Sequence, residues 1–388
     1  MRPREEIPLG LYLHVPFCSS TCDFCAFYQE KPSKKGRETY FRALEDEISL
    51  ISDPRTIRSV FIGGGTPGLL KVEEMKRLCS LVRQTGLASG CEWTVEIAPS
   101  EISHAKLECL AEMGVNRISL GVQTFDDSLM DALGRNHTPG KARKAYEMIR
   151  ETGFESVNLD LIFGIPGQSL AQWEDDLKKA VSLIPDHLST YCLTFEEDTA
   201  LFVKLSNGQV SRDPEREATF YERAWEFLPE QGYGQYEISN YALPGKQCRH
   251  NLNVWRMHEW IGCGPSACTQ FKGLRRRNFS NLEQWSATYL EDGPAEYEEC
   301  EKLTSFDLAR DAILFGLRMN QGISPSGIAR SFGLEKHEVE PVLVFLERLA
   351  MEGMGTWRKD WFSLTSKGRI LADAIALEMP ELAFSVGG

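Results

Sequence analysis

Short β-rich runs and helical runs alternate six times between residues 11 and 194, and this constrains the fold more than any other property of the chain. Leu11–Val15, Ser59–Ile62, Trp93–Ile97, Arg117–Val122, Val157–Phe163 and His187–Thr194 read as strands. Apolar residues at helical spacing fill the intervals at 38–52, 72–86, 104–113, 126–133, 140–151 and 170–183. Such alternation calls for a parallel sheet with helical crossovers, because parallel strands cannot be joined by tight turns. Several strands end in Gly, Pro or polar residues, and parallel α/β sheets place their sites at that edge. Six units fall short of an eight-fold barrel, so the reading is α/β with a partial (β/α)6 barrel.

The pattern changes beyond residue 195. A strong helix is expected at 215–230 and an added strand at 234–241, and the Gly-, Trp-, Cys- and Arg-rich 243–280 reads as loop with short elements. Helices at 305–318, 324–331 and 336–351, a small ribbon at 354–364 and a last helix at 366–377 suggest a winged-helix-like α+β module. That gives three regions: a barrel at 1–200, a barrel extension at 201–300 and the module at 301–388. The module carries 10 Lys+Arg against 12 Asp+Glu, and the whole chain has a formal charge of −13. Phosphate binding needs a basic footprint, so nucleic acid is not expected as a partner and the module reads as an internal docking unit. No apolar run reaches the roughly 18 residues of a membrane span, and the start of the chain lacks a signal-peptide core. The default expectation is a cytoplasmic protein.

Three thiols cluster in His14-Val-Pro-Phe-Cys-Ser-Ser-Thr-Cys-Asp-Phe-Cys-Ala-Phe27, at Cys18, Cys22 and Cys25. The other eight of the 11 cysteines are scattered, as buried small hydrophobes usually are. Iron–sulfur clusters and structural zinc both usually take four ligands. A three-thiolate set therefore leaves one position to explain: His14 completing a zinc site, an open iron, or thiols with no metal.

Polar residues interrupt the strands elsewhere. Gly63, Gly64, Gly65 and Thr66 follow the second strand, where glycine permits close backbone approach to a ligand. Alternation puts Glu96 on the face opposite Val95 and Ile97, where a carboxylate needs a partner. Gln123 ends the fourth strand, Arg135 sits in Leu-Gly-Arg-Asn-His, and Asp160 breaks an otherwise apolar fifth strand. Each could equally serve an internal polar network.

The cysteine spacing, with Phe24 before the third thiol and the motif closing a first strand, resembles the radical S-adenosylmethionine (SAM) family. The resemblance implies that Cys18, Cys22 and Cys25 hold three irons of a 4Fe-4S cluster. The fourth iron then takes the amino and carboxylate groups of SAM, and one electron cleaves the sulfonium to release a 5′-deoxyadenosyl radical. It further implies SAM contacts from Tyr12, Phe24, the 63–66 turn, Glu96, Gln123, Arg135, Asp160 and the backbone near Leu193.

A narrower resemblance covers nearly the whole chain. His-Val-Pro-Phe-Cys, Gly-Gly-Gly-Thr-Pro, Leu-Gly-Val-Gln-Thr-Phe, Leu-Gly-Arg-Asn-His and Asp-Leu-Ile-Phe-Gly-Ile-Pro-Gly-Gln resemble the HemW-like haem-chaperone branch. That branch is related to oxygen-independent coproporphyrinogen III dehydrogenase (HemN). The dehydrogenases have a fourth cysteine where this chain has Phe27, and a longer extension where 17 residues precede Cys18 here. The resemblance implies haem or a porphyrin as ligand, an apo-haemoprotein as acceptor and an electron donor protein; decarboxylation of coproporphyrinogen is the alternative activity. The branch's His-Asn-x-x-Tyr-Trp haem motif reads His250-Asn-Leu-Asn-Val-Trp255 here, with Val254 replacing the tyrosine. His250 would then ligate iron and Trp255 stack on the ring, unless both merely hold a loop. Arg275-Arg-Arg277 is either a solvated run or a partner for propionates, and Cys248, Cys263 and Cys268 are either soft ligands or structural.

Overall fold

The computed structural model describes residues 7–135, 138–291 and 293–382. Asn136 and His137 of the Leu-Gly-Arg-Asn-His motif lie outside the described residues. The chain begins with β1 (Leu9–Val15), α1 (Lys34–Ser49), β2 (Ile57–Gly64), α2 (Val72–Gln84), β3 (Leu87–Ile97) and α3 (His104–Glu112). It continues through β4 (Arg117–Gln123), α4 (Asp127–Ala132), α5 (Pro139–Thr152), β5 (Ser156–Phe163), α6 (Leu170–Ser182) and β6 (His187–Cys192). These six strands pair in parallel in sequence order, from β1 against β2 to β5 against β6. The first and last do not meet, so the sheet stays open rather than closing into a barrel.

The two faces of this sheet differ sharply. Leu9, Leu11, Leu13 and Val15 of β1 are buried toward the crossover helices, which present Tyr40, Phe41, Leu44, Met75, Leu78 and Val82 at helical spacing. The intervening residues face the hollow, and many are polar: Ser59, Thr94, Arg117, Ser119, Asn158, His187 and Ser189 are all buried. A polar interior of this kind needs internal hydrogen bonds or a polar ligand.

The next stretch is α7 (Ala200–Ser206), α8 (Pro214–Glu230), β7 (Gly234–Gln235), β8 (Asn240–Ala242) and α9 (Arg249–Trp255). β9 (Glu259–Cys263), β10 (Cys268–Phe271), β11 (Leu274–Arg277), α10 (Leu282–Leu290) and β12 (Glu299–Lys302) follow. Here the structure departs from the sequence reading. The expected strand at 234–241 is two short antiparallel strands, β7 and β8, on the β6 side. The short elements expected within 243–280 are α9 and three strands, and the unforeseen point is that β9 runs parallel to β1. Together they extend the sheet to twelve strands, with the two-residue β7 at one margin and the exposed β12 at the other.

The last elements are α11 (Ser305–Arg318), α12 (Pro325–Phe332), α13 (Glu340–Met351), β13 (Gly355–Arg358), β14 (Trp361–Leu364), α14 (Ser366–Ile370) and α15 (Ala372–Glu378). The single helix expected at 366–377 is broken at Leu371. A second core holds this unit together, built on Ile313, Leu317, Val342, Leu346 and Phe362. It docks on the sheet unit through Arg369, whose guanidinium stacks on Trp225 and donates to Gln235 Oε1 at 2.6 Å. No helix among the described residues is long and apolar enough to cross a membrane.

Candidate cofactor site at the sheet's C-terminal edge

The cysteine loop leaves β1 at Val15 and is closed at its base by two backbone bonds. Cys18 N donates to Glu30 O at 2.9 Å and Glu30 N to Pro16 O at 2.7 Å. Thr66 N donates to Phe17 O at 2.7 Å and Gly65 N to Val15 O at 2.8 Å, which joins the loop to the glycine turn. Cys18, Cys22 and Cys25 are half-buried free thiols, and Cys18 Sγ lies 3.3 Å from Thr66 Oγ1. Burial pushes the Cys18 and Cys25 thiols up, their thiol neighbours add to the rise, and the Arg135 charge opposes it. Among the described residues no three His, Cys, Asp or Glu side chains already stand at metal-ligand spacing. The three thiols nevertheless sense one another and share one closed loop, a donor set that fits an iron–sulfur centre once deprotonated. Phe27 is 66% exposed, so the second position after the third cysteine presents a ring to water.

The glycine turn is shaped by what crowds it. A Cβ on Gly64, whose φ is +103°, would run into the His14 ring, and one on Gly65 would lie 2.8 Å from Phe17 O and 2.9 Å from Val15 O. Only glycine lets the turn sit directly on the cysteine loop. Burial first, and then Asp160, push the Glu96 carboxyl up to about 8, against the opposing effect of the Gly64 amide. Asp160 accepts from Ser119 Oγ and Asn158 Nδ2, both at 2.8 Å, and is likewise raised by burial. Gln123 has a φ of 71°, at a register shift between β4 and β5, so a strained bulge sets where its side chain points. Tyr12 OH meets His14 Nδ1 at 3.2 Å, and its ring stacks on Phe61 at 6.4 Å. The Arg135 guanidinium lies over the Phe24 ring at 5.7 Å, and its buried Nε has no hydrogen-bond partner among the described residues. Among the described residues the edge thus carries two acids without a direct cation partner, a cradle of glycine and three thiols, which suits a ligand bearing both positive charge and metal-seeking groups.

Sequence reading named His14 only as a possible zinc ligand and did not single out Asp23. His14 is buried, which lowers its imidazole to about 4 and keeps it neutral, and its Nε2 meets Tyr28 O at 3.2 Å. Alternation from Tyr12 would have placed it on the inner face. Asp23 lies between Cys22 and Cys25 and ties the loop outward: its N donates to Leu133 O at 3.2 Å, its O accepts from Leu201 N at 2.8 Å, and its carboxylate holds Lys204 Nζ at 2.6 Å. No local pattern announces that pairing.

His250 and Trp255 lie elsewhere. α9 closes the floor of the hollow, opposite the cysteine loop, with Glu92 accepting from Arg249 N and His250 N at 3.0 Å each. His250 is 6% exposed, its Nδ1 meets Ser59 Oγ at 3.1 Å, and its ring tilts against Phe61. Burial lowers its imidazole to about 4. A Cβ on Gly10 would lie 3.3 Å from the ring, so the imidazole is packed closely against β1. Trp255 packs on Phe315 and under Arg318, at the seam with the C-terminal unit. Arg275, Arg276 and Arg277 have partners within the chain, Asp311, Tyr297 and Glu299 respectively. Cys248 and Cys263 are buried, and Cys268 is exposed.

Residues 12–180 match the radical SAM superfamily. The chain is 33% identical over 371 residues to the haem chaperone HemW of Bacillus subtilis (strain 168), spanning 94% of this chain and 97% of that protein. The chain belongs to the HemW family of radical SAM proteins. The HemW of Escherichia coli (strain K12) is 39% identical over 266 residues, 67% of this chain and 69% of that one. The solved coproporphyrinogen III oxidase HemN of Escherichia coli, described as a radical SAM enzyme, superposes with a TM-score of 0.83 at 26% identity, covering 96% of this chain and 90% of that one. Radical SAM membership implies a 4Fe-4S cluster and SAM. The superfamily match includes the cysteine loop, the glycine turn, Glu96, Gln123, Arg135 and Asp160, and it ends before His250.

Proposed function

We propose that this chain is a haem chaperone: it binds a 4Fe-4S cluster on Cys18, Cys22 and Cys25, SAM beside it, and haem, which it passes to an apo-haemoprotein. The observation that carries this reading is the similarity to HemW over 94% of the chain. When bound, the cluster and SAM supply one-electron cleavage of a sulfonium. In this reading the chain's own residues position the ligand. The Gly63–Gly65 turn receives its methionine end, Glu96 meets its ammonium, and Asp160 and Gln123 orient its ribose and adenine. Tyr12, Phe24 and Arg135 wall the mouth against water. An electron donor protein approaches the cysteine loop, and the work is done in the cytoplasm.

Phe27 favours haem handling over decarboxylation, since the dehydrogenases it resembles carry a cysteine at that place. The test is anaerobic reconstitution, followed by hemin titration and mixing with a haem-free b-type cytochrome. Transfer of the Soret absorbance to the cytochrome, with no protoporphyrinogen formed from coproporphyrinogen III and SAM, is the expected result. Formation of protoporphyrinogen would replace this reading with the dehydrogenase one.

A further inference from the structure

A run of polar side chains crosses the hollow between Asp160 and the floor helix α9. Asn158 of β5 and His187 of β6 stand opposite each other in the ladder, and both are almost wholly buried. The hydrogen bonds fix where each proton sits. Asn158 Nδ2 donates to Asp160 Oδ1 and to Ser119 Oγ, both at 2.8 Å. Ser119 passes its own proton to Asp160 Oδ2 at 2.8 Å. Both amide protons are thus spent on the acid, one directly and one through Ser119. Asn158 Oδ1 is left facing His187 Nδ1 at 2.6 Å, so that nitrogen carries the proton. His187 Nε2 is then bare and accepts from Tyr236 OH at 2.8 Å. The phenol oxygen in turn accepts from the Cys248 amide at 3.4 Å, at the start of α9. Burial, with Arg117 nearby, holds the imidazole well below its ordinary value and keeps it neutral, with one donor and one acceptor.

We propose that His187 and Asn158 are positioning residues for Asp160. The imidazole locks the Asn158 amide in the one orientation that turns both of its protons to the acid, and the carboxylate is thereby aimed at bound SAM. The inference rests on the reading of Asp160 as a SAM contact and deepens it. A flipped amide would set Oδ1 against the carboxylate, acceptor against acceptor, and forfeit both donations. Ser189 Oγ also reaches Asn158 Oδ1, at 3.2 Å, but its single proton is shared with Asp160 and Tyr191. The His187 proton is therefore what decides the orientation. Stability alone does not call for such a chain, because apolar side chains of the same shape serve a core as well. What the chain supplies is a single fixed direction for a carboxylate.

The test is a double-mutant cycle on SAM affinity, measured by calorimetry with the anaerobically reconstituted full-length protein. The set is wild type, His187→Phe, His187→Gln, Asn158→Leu and Asp160→Ala, with His187→Phe and Asn158→Leu repeated in the Asp160→Ala background. Thermal unfolding and iron content verify that each variant is folded and loaded. Should His187→Phe fail to fold, the near-isosteric Asn158→Leu carries the same cycle. Loss of one buried hydrogen-bonding partner corresponds to roughly tenfold. His187→Phe and Asn158→Leu are each expected to weaken SAM binding by about that factor, and to change nothing further once Asp160 is replaced, because residues acting through one group are not additive. His187→Gln, whose amide keeps a donor and an acceptor, is expected to restore most of the affinity. A loss of the same size in both backgrounds would mark a general structural role and overturn the proposal. Wild-type affinity in folded His187→Phe would overturn it too, as would a glutamine no better than phenylalanine. Unchanged SAM binding in Asp160→Ala would instead remove the reading of Asp160 on which the inference stands.

Discussion

Gly63 and Glu96 stand so close that a Cβ on the glycine would lie 2.5 Å from Oε2 of the carboxylate. The next backbone amide, that of Gly64, favours the charged form of the same carboxyl. The bare α-carbon thus lets a carboxyl group sit directly over the turn.

Gly63→Ala should displace the Glu96 carboxylate while leaving the backbone in place, because the crowded atom is the end of a flexible side chain. The expected result is at least a tenfold loss of SAM affinity by calorimetry, with an unfolding midpoint within a few degrees of wild type. Gly65→Ala should behave differently, since its Cβ meets the carbonyls of Val15 and Phe17, which cannot rotate away. It should lower the midpoint and abolish cluster loading together. Equal behaviour of the two variants would contradict this account.

With its carboxyl near 8, Glu96 is mostly protonated at neutral pH. A ligand cation favours the carboxylate, so SAM binding should release a proton. Affinity is then expected to rise by about tenfold between pH 7 and pH 9. The heat of binding at pH 7 should differ between phosphate and Tris buffers. Both effects should vanish in Glu96→Gln, and a flat or falling affinity in wild type would rule the mechanism out.

Cys22→Ser should reduce iron and acid-labile sulfide to background after anaerobic reconstitution, because three thiolates are the minimum that leaves one iron open. Cys268→Ser, at an exposed thiol on β10, should retain the full complement. Retention of a full cluster in the first variant would overturn the ligand set.

Glu47 of α1 is buried and accepts from Gly264 N at 2.7 Å, Asn278 Nδ2 at 2.7 Å and Tyr289 OH at 2.8 Å. Burial outweighs these bonds and raises its carboxyl from 4.5 to about 7. A raised acid takes up a proton on folding, so its contribution is fully present below about pH 4.5 and fades as pH rises through about 7. The loss is roughly 3 kcal/mol at most. Denaturant unfolding from pH 5 to pH 8.5 should show wild type losing stability relative to Glu47→Gln. A parallel pair of pH profiles would dismiss the assignment.

The six parallel strands were legible because each buries one apolar face and is followed by a helix of matching period. The cysteine loop, Glu96 and Asp160 were legible for a complementary reason, as polar groups that break those patterns. β9, β10 and β11 escaped because they are four or five residues long and rest on ladder bonds and paired charges rather than on apolar alternation. Arg275 opposite Glu301 and Arg277 opposite Glu299 make one such ladder. The bulge at Gln123 depends on strand register, and the meeting of Asp23 with Lys204 spans most of the sheet unit, so neither has a local signature. The placement of α9 under the hollow, which buries His250, likewise follows from the tertiary path of the chain.

The margins of the twelve-stranded sheet bear on how a partner protein can be met. At one side β7 offers two residues, and Asn320 Nδ2 already occupies the carbonyl of Gln235. At the other, β12 reads Glu-Cys-Glu-Lys and is exposed throughout, a short charged border of the kind that discourages further strands. Both borders are poorly suited to main-chain pairing with another chain. A partner met at this sheet is then recognised mainly through side chains and loops, contacts that are selective and readily undone, so docking leaves little backbone ladder to unpick once the cargo has moved.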